Sequence, residues 1–116
     1  MEGLEDLGCF YEDFSLRTWS QGRSYCQSIG GDLAVLDASA DFLRVVDYYA
    51  AQTAVSSIWI GVYNTVWLSG RTPSSSEWYG SEPNGSDLCV DLRNNYGFLL
   101  GDTGCTSIKM SLCKAP

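Results

Sequence analysis

Apolar positions follow two different rhythms along the chain. In the first half they recur at helical spacing. Thr18-Trp19-Ser20-Gln21 has the form of a capping box, and Trp19, Arg23, Cys26 and Ile29 follow at intervals of three and four. Gly30-Gly31 then stops the predicted helix. A second helix is predicted from a cap at Asp37 or Ser39, with Phe42, Val45, Val46 and Tyr49 forming one apolar face at i, i+3, i+4 and i+7. Short extended segments are expected at Cys9-Phe10-Tyr11 and Leu33-Ala34-Val35-Leu36. In the second half the period shortens to that of strands, at 58–62, 88–92, 97–100 and 108–113. Between the first two of these, residues 63–86 carry Gly70, Pro73, Gly80, Pro83, Gly85 and the run Ser74-Ser75-Ser76. These are loop residues, and a loop that long in a small domain is usually functional. Helices first and strands later imply an α+β domain, with two helices flanking small antiparallel sheets. Residues 1–7 read as a loose acidic lead-in and 8–116 as the domain.

Length and composition narrow the function. The chain has 116 residues, 45% of them apolar, which suits one domain with a real core. No run approaches the ~20 apolar residues needed to span a bilayer. The formal net charge of −7 argues against nucleic acid and anionic membrane, and it is permissive for cations. The sequence contains no His, which removes Ser–His and Cys–His catalysis and His-based zinc sites. The five cysteines, Cys9, Cys26, Cys89, Cys105 and Cys113, include no C-x-x-C pair. Two disulfides with one cysteine left over is the better reading, and it implies an oxidising, extracellular setting. The opening Met1-Glu2-Gly3-Leu4-Glu5-Asp6 has no apolar core and is not a signal peptide, so a secreted domain carrying an added Met is expected.

Several segments together resemble the C-type lectin-like domain family. Thr18-Trp19, Cys26 and Gly30-Gly31-Asp32-Leu33-Ala34 are similar to its first helix and following strand. Trp59-Ile60-Gly61-Val62 is similar to its Trp-Ile-Gly-Leu core motif, and Glu82-Pro83-Asn84 matches the tripeptide of its mannose-type members. The resemblance runs over roughly residues 8–115. It implies disulfides Cys26–Cys113 and Cys89–Cys105, with Cys9 either a free thiol or paired between chains.

The resemblance also implies a site. Glu82, Asn84, Asp87 and Asp102 match four of the family's five calcium positions at the sugar site, where one Ca2+ also takes two sugar hydroxyls. Calcium favours such oxygen donors. Pro83 resembles a proline that is cis in calcium-loaded members. One departure stands out: the family's Trp-Asn-Asp reads Leu100-Gly101-Asp102, so Gly101 supplies neither an amide oxygen to calcium nor an N–H to sugar. A bond of that kind contributes ~1.5–3 kcal/mol, so sugar binding is expected to be roughly tenfold to a hundredfold weaker. Water is expected at the vacated position. The family's second calcium site is expected to be absent, because 63–71 holds no carboxylate and Glu77 alone is insufficient. Trp67 and Trp78 are read as loop anchors, with Tyr63, Tyr79 and Tyr96 as secondary candidates for facing a ligand. Asn84-Gly85-Ser86 is also a formal glycosylation sequon, and a glycan there would remove a ligand.

The expected function is a calcium-dependent lectin for glycans bearing mannose-type sugars (mannose, glucose, N-acetylglucosamine, fucose), weak at each site and gaining avidity from homo-oligomers, with innate immune recognition as the role by analogy. The alternative is a calcium-independent protein-binding module that keeps the fold. Paired carboxylates can hydrolyse glycosides, but these are better explained as metal ligands, so no enzyme is expected.

Overall fold

The computed structural model describes residues 1–52, 54–85 and 87–116. The strands are β1 (Phe10–Arg17), β2 (Asp32–Leu33), β3 (Ser57–Tyr63), β4 (Val66–Trp67), β5 (Cys89–Arg93), β6 (Leu100–Thr103) and β7 (Lys109–Lys114). The helices are α1 (Trp19–Ser28) and α2 (Ser39–Ala50). All seven strands join one sheet, in the order β1-β7-β3-β5-β6, with β2 added on β7 and β4 on β3. The sheet is mixed rather than purely antiparallel, because β3 and β7 run parallel through Ile58–Met110 and Trp59–Ser111.

Helix α1 begins where the capping box places it. The Gln21 N–H donates to Thr18 Oγ1 at 3.3 Å, and the Thr18 N–H donates to Gln21 Oε1 at 3.0 Å. It ends as the glycine pair requires. Gly30 takes φ +92°, a left-handed value that favours glycine, and the Gly31 N–H reaches back to the Cys26 carbonyl. The buried stripe of α2 is Phe42, Val45, Val46 and Tyr49. Its cap differs from expectation: Ala38 holds that position, and the Ser39 hydroxyl instead reaches the Glu77 carboxylate.

The core lies between α2 and the sheet, with Phe42, Tyr49, Ile58, Ile60, Leu92, Leu100 and Leu112 shut from solvent. A second cluster joins Trp19, Trp59, Leu33 and both disulfides. Cys26 is bonded to Cys113 and Cys89 to Cys105, while Cys9 is an exposed free thiol. The first residues are docked rather than loose. Leu4 is buried in the core, and Arg44 grips Asp6 through two hydrogen bonds. That burial offsets the ordering cost that an all-polar leader could not meet.

The segment between β3 and β5 is better ordered than its composition suggests. Asn64 and Thr65 form a tight two-residue turn with positive φ, which folds β4 back onto β3. Trp67 and Trp78 anchor the segment in the core. Glu77 is fully buried and accepts both Arg71 Nη1 and Nη2 at 2.9 Å, together with the Ser74 N–H at 2.7 Å. Burial pushes its carboxyl up, but Arg71, Ser74 and Ser39 overcome that and hold it below the usual range. These bonds fix the base of the loop that carries Glu82.

Candidate functional site

Two stretches meet at one end of the sheet. One is the turn 79–85, which leaves Trp78. The other is β6. Trp78 bridges to Leu100, and the Tyr79 N–H donates to the Leu100 carbonyl at 3.0 Å, so the turn is stitched alongside β6. The Glu82 N–H closes the turn onto the Tyr79 carbonyl at 2.8 Å, and the Glu82–Pro83 bond is cis.

This stitching brings three of the four expected site residues together. The Asp102 N–H donates to Glu82 Oε2 at 3.1 Å. The Gly85 N–H donates to Asp102 Oδ2 at 3.0 Å, and Asn84 Nδ2 reaches Glu82 Oε1 at 3.4 Å. Asp102 is only 5% exposed, and its other oxygen, Oδ1, is buried without a hydrogen-bond partner among the described residues. A buried carboxylate oxygen left in that state is costly unless a cation or proton meets it. Burial and the adjoining Asp102 carboxyl both push the Glu82 carboxyl above its ordinary value. The arrangement is a pair of crowded acids.

Asp87 stands on the segment entering β5, two residues before Cys89. Among the described residues it does not complete a three-carboxylate cluster with Glu82 and Asp102. The sequon around Asn84 includes Ser86, which lies outside the described residues.

Gly101 has a physical explanation that differs from the expectation of water. A Cβ added there would come within 2.6 Å of Tyr96 Cε2 and 2.9 Å of Arg93 Nη2, closer than real Cβ contacts. The volume of the absent side chain is therefore filled by an aromatic ring and a guanidinium. Arg93 is fixed from three sides. Its Nε donates to Asp91 Oδ1 at 3.1 Å, its Nη2 donates to the Asp102 carbonyl at 3.0 Å, and its Cζ lies 4.1 Å from the centre of the Tyr96 ring. Asp91 is fully buried between Arg93 and Lys109, and burial raises its carboxyl despite both cations.

Sequence reasoning missed Arg93. It reads as the polar end of a strand, and the available signal was indirect: a glycine inside a buried strand needs something to fill its space. The other aromatic candidates divide. Tyr63 packs on Trp19 with centroids 5.0 Å apart, and Trp67 packs edge-on against Phe42, whereas Tyr79 and Tyr96 stack on each other.

Comparison with known proteins agrees with this architecture. The model of the lectin C-type domain matches residues 15–115. Human regenerating islet-derived protein 4 is 25% identical over 115 residues, covering 91% of this chain and 73% of that protein. The SPL-1–GlcNAc complex superposes with a TM-score of 0.81 at 22% identity, covering 92% of this chain and 86% of that one. A calcium-independent type II antifreeze protein superposes at 0.73 with 24% identity, covering 90% and 83%. With the family's helices, sheet and domain model all matched, the chain belongs to the lectin C-type domain family.

Proposed function

We propose that this domain binds glycans through one weak calcium site formed by Glu82, Asn84, Asp87 and Asp102, with a preference for mannose-type sugars. The observation that carries the reading is the nearly buried Asp102 carboxylate, whose Oδ1 has no hydrogen-bond partner among the described residues, beside the crowded Glu82 carboxylate. These donors are hard oxygens, which suit calcium. When bound, the ion supplies charge neutralisation and open positions for two sugar hydroxyls. The chain's own residues do the rest. Asp102 ties the turn to β6 through Gly85, Glu82 is oriented by the Asp102 N–H, and Arg93 holds the Asp102 carbonyl.

Weak affinity follows from the same features. Among the described residues no group of three acidic side chains could hold a metal ion, and a guanidinium adjoins Asp102, so a dissociation constant for calcium near the ~10⁻³ M of extracellular modules is expected. The Glu-Pro-Asn order supports the mannose-type preference, and SPL-1, a fold neighbour, is a GlcNAc complex. The disulfides support an extracellular setting, and no helix among the described residues is long and apolar enough to cross a membrane. No catalytic role is assigned.

The filled space at Gly101 favours a second reading, a calcium-independent protein-binding module, and one fold neighbour is named as calcium-independent. Calorimetric titration with calcium separates the two. The lectin reading expects saturable binding that Asp102→Asn and Glu82→Gln each weaken at least tenfold. A flat titration of the unmodified domain favours the protein-binding module.

A further inference from the structure

Arg93 brings a fixed positive charge to the end of the sheet that carries Asp102. It is the last residue of β5, which pairs with β6 through Val90–Asp102 and Asp91–Gly101. Its side chain reaches back along that pair. Nε donates to Asp91 Oδ1 at 3.1 Å and Nη2 donates to the Asp102 carbonyl at 3.0 Å. The same Nη2 stands 2.9 Å from where a Cβ on residue 101 would lie, and the Tyr96 ring covers the guanidinium with Cζ 4.1 Å from its centre. Two hydrogen bonds and a stacked ring hold the planar group in one place. The carbonyl it grips and the carboxylate that meets Glu82 belong to one residue, so the charge lies within a residue's breadth of the acid pair. Its influence reaches Glu82. Burial and then the Asp102 carboxyl push the Glu82 carboxyl up, while the Asp102 N–H and the Arg93 charge pull it down.

We infer that Arg93 is a tethered counter-cation of the calcium site: its guanidinium supplies part of the positive charge that the Glu82–Asp102 pair attracts, and it thereby opposes entry of the metal ion. Two carboxylates this close repel each other, and a neighbouring cation relieves that repulsion when no metal is bound. A divalent ion arriving at the pair meets a like charge that its hydrogen bonds keep from swinging away. Because the site is partly buried, solvent and salt screen that repulsion only in part. Gly101 and Arg93 therefore act together. The glycine removes a side chain that could have added an oxygen to the ion, and the guanidinium occupies the vacated room with a charge of the ion's own sign. The turn 79–85 accordingly stays seated on β6 without metal, and calcium enters only at high concentration. This inference rests on the calcium-site assignment above and deepens it by naming the residue that regulates metal entry.

Calorimetric calcium titration compares the intact domain with Arg93→Lys and with the double variant Asp91→Asn/Arg93→Met, each checked for folding by circular dichroism. The double variant removes the guanidinium together with its buried partner, so no acid is stranded and the net charge stays at −7. Met keeps an apolar stem against the Tyr96 ring, and Lys109 retains its Ser57 bond and the Trp59 ring. The double variant is expected to bind calcium roughly 5- to 30-fold more tightly, while Arg93→Lys, which keeps the charge, stays within about twofold of the unmodified domain. A purely structural role predicts weaker binding by both. One readout needs no variant: the NMR signal of the Arg93 Nε–H in the unmodified domain is expected to shift as calcium is added. Unchanged or weaker calcium binding by the folded double variant overturns the inference and leaves the lectin reading intact, as does an Arg93 signal that stays still while the domain binds calcium. Binding by the double variant alone supports the inference and overturns the calcium-dependent reading of the unmodified domain. Binding by none of the three proteins overturns both.

Discussion

At Gly101 one missing side chain reorganises its neighbourhood. An asparagine placed there alone meets the Tyr96 ring and the Arg93 guanidinium at distances no side chain tolerates. Overpacking of this kind costs about 1–3 kcal/mol, so Gly101→Asn is expected to lower the unfolding temperature without improving calcium affinity. Combining it with Tyr96→Ala is expected to recover stability and tighten calcium binding. A single Gly101→Asn variant with full stability and tighter calcium binding would show that the ring moves aside freely. Asp102 and Gly101 illustrate what residue-level reading can and cannot reach. The acid was legible from its place before Cys105 and its match to a family position. The surroundings of its carboxylate were not, because they depend on where the 79–85 turn meets β6.

Among the elements, the loop base is the most exposed to acid. Glu77 has its carboxyl held low by Arg71, the Ser74 N–H and Ser39 against the opposing effect of burial. A carboxyl whose folded value lies below the unfolded 4.5 adds stability above that pH, and the stability is lost as pH falls through the folded value. Denaturant unfolding from pH 6 to about pH 3 should therefore show a steeper acid limb in the unmodified domain than in Glu77→Gln. Removing Arg71 leaves a buried charge unpaired and should cost about 3–5 kcal/mol at neutral pH. Both helices were legible from their periodicity, and α1 also from its capping box. Thr18→Ala is accordingly expected to cost about 1 kcal/mol in equilibrium unfolding. The β3–β4 hairpin was hidden, because Asn64-Thr65 lacks the glycine that usually marks a turn with two positive φ values. The 97–100 segment was read as a strand, but Phe98 at positive φ closes a turn there and β6 begins only at Leu100. The length of β1 was also underestimated. It runs eight residues as an edge strand, with a bulge between Asp13 and Arg17 that its composition does not announce. Asp13 Oδ1 takes the Ser15 N–H at that bulge, which blunts the open edge against pairing with another chain.

For the whole molecule, the fold is closed by two covalent ties of different reach. Cys26–Cys113 spans 87 residues and links α1 to β7, while Cys89–Cys105 spans 16 and clamps the β5–β6 unit that carries the site. Loop-entropy reasoning assigns roughly 4–5 kcal/mol to the long tie and about 3 to the short one. Opening the short tie alone, with alanines at both positions, should leave a folded domain whose calcium affinity falls. Opening the long one should destabilise the domain as a whole. The pairing of α1 with the final strand was readable because the resemblance spans nearly the entire chain. The mixed sheet was not, since a parallel contact between β3 and β7 joins segments far apart in sequence. The central claim concerns what this fold delivers at the Glu82–Asp102 end, and affinity chromatography tests it most directly. The purified domain is loaded on mannose-coupled resin in millimolar calcium, in multivalent form to offset weak single sites, and washed with a chelator. Retention in calcium followed by release on chelation is the predicted result. Passage straight through the column, or retention that the chelator does not reverse, would contradict it.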